Sequence, residues 1–400
     1  MPDPIAYRNH LRVALALLLI GAGMVALAYG AGLFQGGADL PPSATPSSRP
    51  EERLIPTLPV RGTVVVSTWP PLVAATSAPT ALASSTPAAT HQPEAGMLTP
   101  RQRIGFVAPM RDVERYDVAL LGAGWHISCQ RGRDPVPAAG MECAQLVGVT
   151  GGVSESDLAS LREIAAGNPG MMWLVGNEPD VLWQVNATPE EYARLYHDVY
   201  EAIKGSDPTS QVAIGGVSQV TPLRLRYLEG VLAAYARAYG RSMPVDEWNI
   251  HLAILREERG TWGVDIPPGM PDDTGILYEI EDNGDVEILK RQVVRFRRWM
   301  ADLGVRNRPL IVTEFSVLMP EEYGFPVERV RRFMISAFEF LMTATDQDVG
   351  YPADGNRLVQ RWAWYSAADR VYSTGNLFDP DTGQLTVLGE AFAAYAANWQ

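Results

Sequence analysis

"MWLVGNEPDVLWQVNATPEEYARLYHDVYEAIKGSDPTSQVAIGG", residues 172–216, contains one complete structural unit. The run "MWLVG" at 172–176 is an apolar strand candidate that stops at Asn177, Glu178 and Pro179. Thr188, Pro189, Glu190 and Glu191 then give a helix start: a side-chain cap, a proline in the first turn, and acids where the helix dipole is positive. "VAIGG" at 212–216 is a second apolar strand. Strands that are apolar almost throughout are buried on both faces, as parallel strands covered by helices are. The stretch therefore reads as strand, helix, strand.

The same alternation extends in both directions. Further strand candidates are "IGFVA" at 104–108, "GWHIS" at 124–128, "AQLVGV" at 144–149, "WNIHLA" at 248–253, "LIVTEF" at 310–315 and "RWAWYS" at 361–366. Between them, "SESDLASLREIAAG" at 154–167 opens on a serine cap, and "PVERVRRFMISAFEFLMTAT" at 326–345 spaces apolar residues three and four apart. Eight strands alternating with helices over residues 101–400 predict an α/β fold, a closed (β/α)8 TIM barrel. The connection between the first two strands is short, so its helix is reduced.

The first hundred residues differ in kind. Residues 13–34, "VALALLLIGAGMVALAYGAGLF", carry no charge over a length that spans a bilayer. Arg8 and Arg12 precede them, which predicts a cytoplasmic N-terminus at residues 1–12, a transmembrane helix, and a catalytic domain outside the cell membrane. A cleaved signal peptide is the alternative, although its apolar core is normally shorter, about 7–15 residues. Residues 35–100 are rich in Pro, Ser, Thr and Ala and read as a disordered extracellular linker.

A net charge of −13 disfavours nucleic acid as a partner. Cys129 and Cys143 are the only cysteines, expected to close a disulfide in an oxidising compartment, with reduced thiols as the alternative. The five histidines form no HExxH pair, so neither metal nor organic cofactor is expected, and the protein reads as a monomer.

In such a barrel the chemistry lies at the C-terminal ends of the strands. Glu178 falls just beyond the fourth strand and Glu314 inside the end of the seventh, where a carboxylate has no packing use. Two carboxylates facing each other there suit cleavage of a glycosidic bond, one protonating the leaving oxygen and one attacking the anomeric carbon. A bland alternative is that each merely sits near a helix N-terminus, whose dipole favours an anion.

The pairing of "NEP" after strand four with "TEF" at strand seven resembles glycoside hydrolase clan A, the retaining (β/α)8 hydrolases. The fuller context, "GAGWHIS", "LVGNEPD", "IVTEFS" and "NLFDPDTGQLTVLGEAF", is most similar to glycoside hydrolase family 128 over roughly residues 103–396. That resemblance implies a retaining hydrolase acting on a β-linked polysaccharide, with β-1,3-glucan as the substrate of the family. It implies Glu178 as general acid/base, Glu314 as nucleophile, Asn177 as the amide that bonds the sugar 2-hydroxyl, and His251 beside the nucleophile. Glu178 would then be protonated at rest and Glu314 kept ionised by donor contacts, with the carboxylates about 5–5.5 Å apart.

Trp125, Trp183, Trp262, Trp362 and Trp364 are candidate sugar platforms, Trp364 foremost, whereas Trp173 and Trp248 are assigned to packing. The stretch 255–284 is long and polar enough to form a wall of the cleft or a solvated loop. Two features depart from the clan. No arginine is evident after strand two, and "QLVGV" replaces the usual aromatic at strand three. A catalytically inactive glycan-binding barrel that tethers the cell surface to wall or matrix polysaccharide is the alternative reading.

Overall fold

The computed structural model describes residues 97–108, 114–128 and 138–399. The expected transmembrane helix and nearly all of the expected linker fall outside these residues. Among the described residues no helix is long and apolar enough to cross a membrane.

Eight parallel strands form the barrel: β1 (Ile104–Ala108), β2 (Trp125–Ser128), β3 (Glu142–Val147), β4 (Met172–Val175), β5 (Gln211–Ile214), β6 (Trp248–His251), β7 (Leu310–Glu314) and β8 (Arg361–Trp364). They run in the order β5-β4-β3-β2-β1-β8-β7-β6. Parallel bridges Ala213–Glu247 and Val217–Ile250 close the ring between β5 and β6.

Seven α-helices accompany them among the described residues: α1 (Pro100–Arg103), α2 (Glu155–Gly167), α3 (Pro189–Ser206), α4 (Pro222–Tyr239), α5 (Val286–Asp302), α6 (Val327–Thr343) and α7 (Val387–Ala397). Ser154 and Thr188 cap α2 and α3 in reciprocal boxes, each accepting from a backbone N–H three residues on. No α-helix follows β1 or β2 among the described residues, where short 3-10 turns stand instead. Among the described residues the layer is thin after β1, as expected, and also after β2.

Strand alternation separates two cores. Val107, Ile127, Ala144, Leu174, Ile311 and Ala363 fill the barrel interior. A larger outer core, including Trp173, Trp248, Phe296, Phe338, Trp362 and Trp364, lies between strands and helices. Trp173 and Trp248 are packing residues, as expected.

Three expected sugar platforms are corrected here. Trp125, Trp362 and Trp364 are all fully buried. Trp125 opens β2 and points into the lower barrel, donating through Nε1 to Arg103 O at 3.3 Å, with the Arg361 guanidinium 5.8 Å from its ring. Trp362 and Trp364 occupy the outward positions of β8 and pack on Phe338 of α6. The indole of Trp364 donates to Gly375 O at 2.7 Å. In period-two alternation the inward series on this strand is Arg361, Ala363 and Tyr365, so the aromatic at the mouth is a tyrosine.

Cys143 is buried on β3. Cys129 lies outside the described residues, and so does the expected bridge.

Candidate active site

The end of β4 departs from regular backbone. Gly176 has φ +78° and Glu178 has φ +44°, a region that non-glycine residues seldom occupy and that is often found at functional sites. A hydrogen bond from Glu178 N to Gly216 O (3.1 Å) secures this turn to the loop after β5. The strand stops in this way because the turn brings the Glu178 carboxyl over the barrel mouth, while Pro179 O is held by Ala187 N and the Tyr227 hydroxyl.

Glu314 reaches the same mouth by another device. Strict alternation from Ile311 would keep Thr313 inside and turn Glu314 out. A register shift opposite Ile250 and His251 pairs Ile250 with Val312 but His251 with Glu314. This bulge re-aims the carboxyl, while Thr313 stays inside and bonds Asn249 at 2.8 Å.

His251 joins the two. Its Nδ1 is 3.0 Å from Glu178 Oε1 and 3.7 Å from Glu314 Oε2. The donor atoms of all three side chains lie within 4.8 Å of one another, so the carboxylates face each other across a single imidazole. Two carboxylates and a histidine at this spacing also offer a divalent ion three ligand atoms.

The trio's charges are interdependent. Burial pulls the imidazole down, but the Glu314 charge, the hydrogen bond to Glu178 and the Glu178 charge outweigh it and leave His251 raised. Burial pushes Glu314 up to about 7, against the pull of His251 and with the added repulsion of Glu178 and Asp369. The donor contacts expected to keep Glu314 ionised are therefore corrected. Among the described residues no side chain hydrogen-bonds it, and the His251 charge alone holds it down.

Asn177, half-buried, sits beside Glu178 at the mouth. Trp183, on the loop after β4, is 42% exposed, and Trp262 is half-buried on the loop after β6 against the outer core. That second loop is pinned by buried polar side chains. Gln219 exchanges two hydrogen bonds with Leu255, Gln292 donates to Ala253 O, and Asn283 donates to Ile254 O. The solvated-loop alternative therefore does not hold for its base.

Sequence reasoning missed the loop after β8. The Tyr365 hydroxyl donates to Asp369 Oδ2 at 2.6 Å, and its ring meets Tyr372 edge-on at 6.2 Å. Burial pushes the phenol of the half-buried Tyr372 up, with the charges of Glu178, Asp369 and Glu314 adding to it, and its backbone N–H donates to Asp369 Oδ1 at 2.9 Å. Alternation along β8 was the available signal for Tyr365; nothing marked Tyr372.

No family model matches the chain, and no curated protein matches it. Among solved structures it is similar to members of glycoside hydrolase family 128. An endo-β-1,3-glucanase of subgroup II from Sorangium cellulosum is 18% identical over 73% of this chain and 98% of its own, with a TM-score of 0.49. A curdlan-specific exo-β-1,3-glucanase of subgroup III from Blastomyces gilchristii, in complex with glucose, is 18% identical over 74% and 99%, TM-score 0.47. An oligosaccharide-binding protein of subgroup VII from Trichoderma gamsii is 11% identical over 78% and 98%, TM-score 0.46.

Proposed function

We propose that this protein is a retaining glycoside hydrolase, held outside the cell membrane by its N-terminal helix, that cleaves a β-linked polysaccharide, with β-1,3-glucan the first candidate. The observation that carries the reading is the Glu178–His251–Glu314 cluster. Carboxylate oxygens within 4.8 Å fit the retaining spacing of about 5–5.5 Å and leave too little room for the water an inverting pair holds at about 6.5–9.5 Å. β-1,3-glucan is supported by the sequence motifs around both glutamates. The uncharged run at 13–34 behind Arg8 and Arg12 supports the anchor.

In the first step a Glu314 oxygen bonds to the anomeric carbon as the bond to the leaving oxygen breaks, and Glu178 gives that oxygen its proton. In the second, water adds to the same carbon, Glu178 takes the water's proton, and the bond to Glu314 breaks. Asn177 bonds the 2-hydroxyl, and the exposed Trp183 face takes an apolar sugar face. His251, bridging both carboxylates, sets how the protons are shared. A barrel that only binds glycan has no use for two opposed carboxylates, which is what disfavours the binding reading.

A screen of the purified protein against laminarin, mannan, xylan, cellulose and chitin, read by reducing ends, tests the reaction class. Laminarin turnover is the expected result; glycan binding without turnover would favour the tether. Trp183→Ala should raise KM about two- to twelvefold with an unchanged Tm, since aromatic packing is worth about 0.5–1.5 kcal/mol.

The pH profile carries a signed prediction. Glu314 attacks only when ionised, so kcat/KM should fall as pH drops through about 7, the three groups titrating as one unit. His251→Asn removes the charge that holds Glu314 down, so this acid limb moves to higher pH. Glu178→Gln, assayed on an activated aryl glycoside, gives Glu314 a neutral neighbour just as protonated Glu178 does, so the acid limb stays and the basic limb, loss of the Glu178 proton, disappears. An acid limb that stays in place in His251→Asn, or a basic limb that persists in Glu178→Gln, contradicts the coupling.

A further inference from the structure

One arginine outside the reacting trio is fully buried between two fully buried acids. Arg224, in the first turn of α4, has Nε 2.7 Å from Asp180 Oδ2 and Nη1 2.5 Å from Glu257 Oε1, and all three side chains are at 0% exposure. Its Nε also donates to Ser218 Oγ, which in turn donates to Asp180 Oδ2. Its Nη2 lies 3.2 and 3.3 Å from the carbonyls of Val264 and Asp265. Glu257 also accepts from Thr221 Oγ1 at 2.7 Å and Ile276 N at 2.7 Å.

The placement is a poor one for stability. A cation in the first turn opposes the helix dipole. Burying ions carries a desolvation penalty that often outweighs their attraction, so apolar replacements of a buried ion cluster are frequently no less stable. What the cluster does supply is geometry. Asp180 follows Glu178 by two residues and is held by Ser218 N and Oγ, so the turn that carries Glu178 in its left-handed conformation is fixed to the β5 loop by this carboxylate. Glu257, Val264, Asp265 and Ile276 all belong to the long loop after β6.

We infer that Arg224 and Glu257 are positioning residues that act through Asp180, so that one buried cation holds both the backbone of Glu178 and the long β6 loop in a single unit. The inference deepens the hydrolase reading and, for its kinetic part, rests on it. An ordered β6 loop is then a condition for correct proton delivery by Glu178, even though no residue of the loop need touch the reacting atoms.

The test compares wild type, Glu257→Gln, Asp180→Asn and the double variant in the full-length protein, on a laminari-oligosaccharide and on a 2,4-dinitrophenyl β-glycoside. The oligosaccharide's leaving alkoxide needs a proton from Glu178; dinitrophenolate does not. Glu257→Gln should lower kcat on the oligosaccharide about ten- to hundredfold, part of what a general acid supplies, and on the aryl glycoside less than about threefold. The double variant should be no worse than Asp180→Asn, because both act through Arg224. Equal losses on both substrates, or a lowered Tm with unchanged kcat, would overturn the inference.

Peptide-level hydrogen exchange on the same proteins supplies a readout independent of catalysis. Glu257→Gln should speed exchange at 176–181 as well as at 255–279, and protection at 176–181 equal to wild type contradicts the linkage. If wild type turns over neither substrate, the hydrolase reading fails and the exchange result alone decides the inference.

Discussion

Glu178→Ala and Glu314→Ala should each lower kcat/KM on the natural polymer by about three to five orders of magnitude, the scale of losing a general acid or a nucleophile. The two losses should differ in how they are rescued. Truncating Glu178 leaves a cavity on the β face of the sugar, where azide can attack the intermediate formed on Glu314, giving the β-glycosyl azide. Truncating Glu314 opens the α face, so azide rescue gives the α-glycosyl azide. Activated aryl glycosides should remain good substrates for the Glu178 variant in the presence of azide, because their leaving group needs no proton. NMR of the azide products checks the assignment. Reversed anomers would exchange the two roles, and near-normal activity in either variant would falsify the account.

Gly216→Ala should be the most damaging substitution outside the reacting groups. A Cβ at Gly216 would stand 2.5 Å from His251 Cδ2 and 2.7 Å from Nε2, so the imidazole must move. That ring holds Glu178 at 3.0 Å and Glu314 at 3.7 Å. A displacement approaching an ångström in a catalytic group lowers turnover about a hundredfold. Overpacking adds a stability loss of about 1–3 kcal/mol, which chemical denaturation measures separately. His251→Ala removes the clash, so the double variant should be no less active than His251→Ala alone. An additive loss in the double variant would mean that Gly216 acts by some route other than His251.

The sequence carried the barrel well because near-continuous apolar strands alternating with capped helices have few other solutions. The same pattern located Glu178 and Glu314 at strand ends, and His251 with them. What it could not convey was side-chain direction. Trp362 and Trp364 belong to a rich aromatic run on β8, yet period-two alternation sends both outward to α6 and leaves the mouth to Tyr365. Glu314 shows the converse: alternation alone would turn it out of the barrel, and only the bulge opposite His251 brings it in. Arg224 and Glu257 are 33 residues apart and carry no local signal, since their meaning arises only when α4 and the β6 loop close around Asp180. The charge state of Glu314 was equally illegible, because it depends on burial and on three neighbours brought from other elements.

The most direct measurement is mass spectrometry of the intact protein and its peptides after reaction with a 2,4-dinitrophenyl 2-deoxy-2-fluoro-β-laminaribioside, in which fluorine slows the second step and lets a covalent intermediate accumulate. The account predicts one sugar adduct per chain, on the peptide containing Glu314 and absent in Glu314→Gln. Hydrolysis that proceeds with inversion and leaves no adduct, or an adduct on a residue other than Glu314, would contradict it.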